Sequence, residues 1–488
     1  MRNIIVTIGI AALCVALSGC YKMLPSSGGG RLSKLPAEAG ERKLDTGDIA
    51  LPDGYQIEVV ATGLTFPTGV TFDDKGAPYV VESGYSYGEV WETPRLLRVD
   101  QGKLTTVAEG GKNGPWTGVT RHDGSFYVAE GGVLEGGRIL RISDDGKVTP
   151  LVQGLPTRGD HHTNGPIVSP DGWLYFGTGT ATNSAIVGED NLKFGWLTRF
   201  PEHRDTPCQD VTLTGENYRS KDLLKGNGEV STGAFVPFGT RTITAQVIKG
   251  QVPCSGAVLR VRPTGGAPEL VAWGFRNPFG FAFSPDGKLY VSDNGYDQRG
   301  SRPVYGAGDV LWEVKSGTWY GWPDYSAGFR LDEEHQFKPA LQPKPKLLLA
   351  DPPNVPPRPA AILPVHASAD GLDFSRRDGF GHRGEAFIAL FGDQSPTTGK
   401  VMGPVGFKVV RVNVKTGVIR DFAVNKGRKN GPSSGLRLGG FERPVAARFD
   451  PSGKALYVVD FGILKETEAG AVPVQKTGVL WRITRQTP

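Results

Sequence analysis

The chain is 488 residues long and contains 69 glycines and 37 prolines. Glycine is about one residue in seven, twice the usual share, and each interior glycine costs a helix about 1 kcal/mol, which excludes helical bundles and coiled coils. Apolar residues make up 38% and charged residues 22%, enough to bury a core and unlike a disordered chain. The net charge of +5 comes from 55 basic and 50 acidic residues. It is thinly spread, with no run of five like charges, so nucleic-acid binding has no support.

In chain order, the first element is an export signal. Arg2 gives a positive start, and Ile4–Leu17 is a mostly apolar run too short to cross a bilayer of ~30 Å as a helix but suited to a signal-peptide core. It ends in Leu17-Ser18-Gly19-Cys20. Small residues before a cysteine resemble the bacterial lipobox, in which Cys20 would be acylated and become the new N-terminus. Residues 1–19 are therefore read as a lipoprotein signal and 20–50 as a flexible tether rich in Gly and Ser. Tyr21 rather than Asp after the cysteine implies, by resemblance to lipoprotein sorting, the periplasmic face of the outer membrane. The lipid is then the only membrane contact. In such an oxidising compartment the remaining pair, Cys208 and Cys254, is expected to form a disulfide.

From residue 51 onward a repeat is counted six times: a short apolar strand, a Pro-Asp-Gly-like turn, an aromatic strand, then a strand ending near Arg. The clearest copies span Ile167–Phe176, with Pro170-Asp171-Gly172, and Phe281–Val291, with Pro285-Asp286-Gly287. Weaker ones lie at Val70–Val80, Val119–Val128, Leu372–Ala389 and Ala447–Val459. Third strands such as Leu96–Val99, Val258–Val261 and Val479–Ile483 follow most copies. Four antiparallel strands per repeat make a blade, and six blades make a closed all-β propeller. The last repeat stops at its third strand, and Tyr55–Ala61 stands unused before the first, so this N-terminal strand is expected to close the ring. Residues 51–488 are expected to form one propeller with insertions near 181–250 and 323–365, lengths that usually signal either function or disorder.

No phosphate loop, dinucleotide fingerprint, nucleophile elbow or zinc-helix motif is present. Histidine is the likeliest base near neutral pH, and His161 and His162 sit in Asp160-His161-His162-Thr163-Asn164-Gly165, directly before the third inner strand. Asp160 is the neighbouring carboxylate available to orient an imidazole. A second constellation, Arg276-Asn277-Pro278, starts the fourth inner strand, where Arg276 offers a planar fork of donors. After that blade's second strand come Asp293-Asn294-Gly295-Tyr296-Asp297, then Asp309 and Tyr320-Gly321-Trp322-Pro323. Their carbonyls and side-chain oxygens could hold a hard cation such as Ca²⁺.

Taken together, these motifs resemble the glucose/sorbosone dehydrogenase family, six-bladed propellers that use pyrroloquinoline quinone (PQQ) and Ca²⁺. The resemblance runs from about residue 50 to 485. It rests on the histidine before an inner strand and Pro-Asp-Gly, the Arg-Asn-Pro strand, the Tyr-Gly-Trp-Pro segment and Glu442-Arg443-Pro444-Val445. Gly406–Arg411 favours the sorbosone-type branch. The resemblance implies a general base at His161, with His162 as the alternative, and a cofactor pocket including Arg276, Asn277, Arg443 and Trp322. It implies Ca²⁺ on the main-chain carbonyls of Gly295 and Tyr296. The activity implied is oxidation of a sugar or related alcohol, with electrons passed to a periplasmic acceptor. The lysine of the glucose-type pattern aligns with Gly392 or Asp393, leaving Lys400 as its replacement. Glu442 or Phe441 occupies the place of an arginine, and Ala446 that of an aspartate. The cofactor's carboxylates are thus short of cations. The competing functions are a non-catalytic propeller that binds a ligand or protein through its channel, and a Ca²⁺-dependent lactonase, for which Glu82 and Asp293 offer partial support.

Overall fold

The computed structural model describes residues 42–86, 89–90, 92–222, 224–333, 337, 343–395, 397–399, 401–467 and 470–486. Six antiparallel sheets are arranged as the blades of a propeller. Each begins with an inner strand: Pro67–Phe72, Trp116–His122, Thr163–Val168, Pro278–Phe283, Ala369–Phe374 and Pro444–Phe449. Each inner strand packs against the next, and the last against the first, which closes the ring. The outermost strand of the sixth blade is Tyr55–Leu64, paired with Gly478–Arg485. The N-terminal strand therefore latches the C-terminal blade. A further short strand, Ile49–Ala50, extends the fifth blade alongside Val418–Asn425.

Local sequence explains this register. In the Pro-Asp-Gly turns, Gly172 and Gly287 have φ of 79° and 82°, a left-handed conformation open to glycine. Ser169 Oγ and the Ser169 carbonyl accept the N–H groups of Trp173 and Gly172, closing the hairpin. Second strands such as Ala386–Leu390 and Ala455–Asp460 are buried along their whole length, because neighbouring blades cover both faces. They accordingly read as continuous apolar runs rather than as alternation.

Glycine has a second use at the axis. The inner strands carry Gly69, Gly118, Gly165, Gly280 and Gly371 at the narrow waist of the channel, with Ala446 on the sixth blade. A Cβ on Gly118 would come 2.2 Å from the Gly165 carbonyl oxygen, and one on Gly280 2.3 Å from that of Asp370. The waist is therefore packed main chain against main chain.

The two long insertions lie on the side of blades three and four. Residues 179–256 separate that third blade's second and third strands, and 314–360 separate the fourth blade's third and fourth. They join each other: the Thr214 N–H donates to the Leu348 carbonyl at 2.9 Å and Ala350 to Thr212 at 2.8 Å, above a core that includes Leu213, Phe235, Trp322 and Leu331. Cys208 and Cys254 form a disulfide with a Cα–Cα distance of 4.9 Å. The second insertion ends earlier than its sequence suggests, because Ala361–Val365 is the fourth blade's outer strand. Pro364 disguises it in a Pro-rich stretch, yet proline is tolerated on a strand edge, where no ladder donor is required.

Candidate active site

At one mouth of the channel, the segments that precede the inner strands enclose a cleft of about 150 Å³. His161, His162 and Asn164 come from the third blade, Asn277, Phe279 and Asn294 from the fourth, and Ser368 and Asp370 from the fifth. Phe391, Val445 and Phe461 add an apolar wall.

The histidine loop is fixed by main-chain bonds. His161 N–H donates to the Thr180 carbonyl and Gly179 N–H to the His162 carbonyl, so the loop prolongs the hairpin of the third blade. His161 Nδ1 lies 2.9 Å from the Thr180 carbonyl oxygen and 3.0 Å from Thr180 Oγ1. A carbonyl can only accept, and Thr180 Oγ1 already donates its proton to Thr182. Nδ1 therefore carries the hydrogen, and the basic lone pair is on Nε2. Burial, followed by the charges of Arg276 and Arg299, pushes the His161 pKa well below 6.5. The ring is thus neutral and ready to accept a proton at neutral pH. Burial alone lowers His162 to about 4.

Asp160 does not orient either imidazole. Its carboxylate pairs with Arg299 at 2.7 Å and accepts from Asn191 at 3.3 Å, so sequence adjacency misassigns it; a main-chain carbonyl performs that task. Arg299 also pairs with Asp190 and Asp297, at 2.6 and 2.9 Å. Burial raises Asp190 to about 6. Although burial works to raise Asp297, Arg276 and Arg299 hold it below the usual carboxylate range.

Arg276 belongs to this same network and does not line the cleft. Its guanidinium donates to Asp297 at 2.7 Å and to Asn183 Oδ1 at 3.0 Å; only its potential reaches His161. Arg443 is likewise turned inward. Fully buried, it donates to the carbonyls of Gly392 and Asp393 and stacks between Phe391 and Phe407. Trp322 is buried beneath the roof, its indole N–H on the Asn183 carbonyl at 3.2 Å. Lys400 lies outside the described residues. Of the expected cofactor contacts among the described residues, Asn277 alone is on the cleft wall.

Sequence reasoning passed over the partners that make Asn277 rigid. Asn164 Nδ2 donates to Asn277 Oδ1 at 3.0 Å, Asn277 Nδ2 to Asn294 Oδ1 at 2.7 Å, and Asn294 Nδ2 to the Ala369 carbonyl at 2.9 Å. This row of amides crosses three blades. Asn164 Oδ1 is buried and accepts no hydrogen bond among the described residues, which leaves it available to a ligand hydroxyl. Asp370 joins the wall as a carboxyl whose pKa is raised well above 3.8, by burial and then by Asp309. The quoted motifs contain Asn164 and Asn294, but nothing in them signals the bonds between blades.

The wall fits PQQ in part. Flat aromatic faces and amide donors suit a planar quinone. Its three carboxylates find no arginine or lysine on the cleft wall among the described residues, and meet Asp160 and Asp370 instead. The carbonyls of Gly295 and Tyr296 accept no hydrogen bond among the described residues, which suits a hard cation. Among the described residues no group of three His, Cys, Asp or Glu side chains could hold a metal.

Residues 247–348 match the family model described as Glucose / Sorbosone dehydrogenase. Quinoprotein glucose dehydrogenase B of Acinetobacter calcoaceticus is 25% identical over 193 residues, 39% of this chain and 31% of that protein, so the match spans about a third of the relative's length. The PQQ-bound aldose sugar dehydrogenase of Streptomyces coelicolor superposes with a TM-score of 0.50 at 17% identity, covering 89% of this chain and 99% of that one. A calcium structure of a family AA12 carbohydrate-active enzyme from Trichoderma reesei gives 0.52 at 16%, covering 91% and 98%. At such identities the structural likeness is one of fold. The chain thus resembles the glucose/sorbosone dehydrogenase family, in sequence over residues 247–348 and in its six-bladed architecture.

Proposed function

We propose that this protein is a sugar dehydrogenase that uses PQQ together with Ca²⁺. One observation carries the reading: His161, on the cleft wall, is held as a neutral imidazole with its lone pair on Nε2 by the Thr180 carbonyl. The comparisons support it, since the relatives matched are named as quinoprotein or sugar dehydrogenases. The neutral amides and hydroxyls of the wall suit an uncharged polyol, and Asn164 Oδ1 offers it an unused acceptor.

PQQ, when bound, supplies a two-electron acceptor for the hydride of the carbinol carbon. The protein's own residues do the remainder. His161 Nε2 takes the hydroxyl proton, and Asn277, immobilised by Asn164 and Asn294, holds the reacting oxygen in line. Phe391 and Phe461 exclude water. The Gly295 and Tyr296 carbonyls are the natural ligands for the cation.

We assign the chain to the sorbosone-type branch on Gly406–Arg411. We also propose that Cys20 is acylated and tethers the propeller to the periplasmic face of the outer membrane, where a periplasmic acceptor would collect the electrons. The support for this is the Leu17–Cys20 pattern after an apolar run.

The test is reconstitution. The protein is titrated with PQQ and Ca²⁺, and reduction of an artificial dye is followed with a panel of aldoses and alcohols. Saturable binding with turnover that disappears in His161→Ala supports the reading. No binding at saturating PQQ overturns it. Incorporation of labelled palmitate, abolished in Cys20→Ala, tests the anchor separately.

A further inference from the structure

The mouth of the channel opposite the cleft is a cavity of about 770 Å³, far larger than the cleft itself. Five arginines from three blades line it: Arg121 from the second, Arg376, Arg377 and Arg383 from the fifth, and Arg448 from the sixth. Two carboxylates share the wall, Asp373 and Asp450.

These five cations are not equally committed. Arg376 is structural, donating to Asp373 at 2.8 Å and to the Phe283 carbonyl at 2.6 Å. Asp373 is further occupied by the N–H groups of Phe374 and Phe449. The Asp450 carboxylate accepts three hydrogen bonds within its own turn, from the N–H groups of Lys454 and Ala455 and from the Ser452 hydroxyl. Neither carboxylate is therefore spare to neutralise the remaining arginines. Among the described residues Arg121 and Arg383 pair only with Asp74, Asp144 and Asp378, all largely exposed on the rim, and such pairs contribute little and exchange readily. Arg448 approaches Asp373 no closer than 3.8 Å. Arg377 has no hydrogen bond or ion pair among the described residues.

We propose that this vestibule is a second binding site, for a small polyanion carrying two or more phosphate or carboxylate groups. Arginine forks match such groups in pairs. The cavity is concave and bounded by the hairpin turns of several blades, including Pro170, Pro285 and Pro451, which admits a compact ligand and not a folded domain. The glycine waist separates it from the cleft: the waist shares Thr68, Thr117 and Phe279 with the cleft and only Arg448 with the vestibule. The two sites are thus on one axis but take ligands of different charge. The same chemistry serves a free anion or an anionic lipid headgroup.

Calorimetry on the full chain at low salt, with pyrophosphate and citrate as probes, tests the site. A second arm uses vesicles of neutral phosphatidylcholine with and without phosphatidylglycerol. Saturable binding of a free probe, or of anionic vesicles alone, is expected, with affinity falling at least tenfold from 20 to 200 mM salt. Arg377→Gln with Arg448→Gln should weaken it at least tenfold; His161→Ala should not. If the double variant misfolds, Arg377→Gln alone suffices, since that exposed side chain holds nothing in place. Binding by neither arm, or binding unchanged in the arginine variants, overturns the proposal. Neither result bears on dye reduction at the cleft.

Discussion

The two mouths of the channel are built from the same six strands and differ in every property that matters to a ligand. At the cleft, polar groups are buried and bonded to one another across blades, as in the row Asn164, Asn277, Asn294. Each has one orientation, and the cations nearby, Arg276 and Arg443, are consumed by internal partners. At the vestibule the arginines are part-exposed or exposed, and two of the five, Arg121 and Arg383, pair with rim carboxylates. The difference teaches that preorganisation and charge are placed at opposite ends. Reaction geometry needs fixed dipoles, whereas anion capture needs cations that can rearrange.

The strongest way to break the comparison is to remove what separates the ends. Gly118→Val places side-chain carbon where the Gly165 carbonyl already stands; with no room to relax, it should cost about 3 kcal/mol or more, read as a lower urea midpoint. Next, His161→Ala should lower kcat by roughly 10²- to 10⁴-fold without moving that midpoint comparably. The wild-type acid limb of kcat/KM should fall well below pH 6.5, because the His161 pKa is depressed and the neutral base persists there. An acid limb at 6.5 or above would refute the buried, charge-flanked base.

A smaller effect separates stability from activity. His203, whose Nε2 is 3.1 Å from the Ala181 carbonyl, is buried with a pKa of about 4. Unfolded, it takes up a proton below 6.5, so the neutral native form loses relative stability as pH falls from 6.5 to 4. The contribution is up to about 3 kcal/mol. His203→Gln should flatten that part of the pH–Tm curve. Smallest of all, Arg377→Gln should leave sugar turnover within twofold, since it lines only the far mouth.

The blades were legible because each repeat carries its own turn chemistry: Pro-Asp-Gly with a left-handed glycine is a local signal, repeated until it can be counted. His161 was legible because it directly precedes an inner strand, and every such position faces the same mouth. What failed was inference from adjacency. Asp160 stands beside His161 in sequence, but its partner Arg299 comes from the fourth blade, 139 residues on. Arg276 and Arg443 are at the places the motifs indicate, yet their guanidinium groups turn to partners that no local pattern reveals. The vestibule was invisible for a related reason. Its arginines lie at 121, 376, 377, 383 and 448, a scatter that reads as thinly spread charge until the ring brings it together.

The latch between Tyr55–Leu64 and Gly478–Arg485 has a consequence for how the molecule is made. Synthesis delivers one partner long before the other, with Gln56 and Thr484 428 positions apart. Until Gly478–Arg485 emerges, the sixth sheet lacks its register and the ring stays open, exposing strand edges that invite mispairing. Closure then joins two segments far apart in the chain in a step of very high contact order, which is slow. A chain without Gly478–Arg485 would lose the act that turns a row of sheets into a ring.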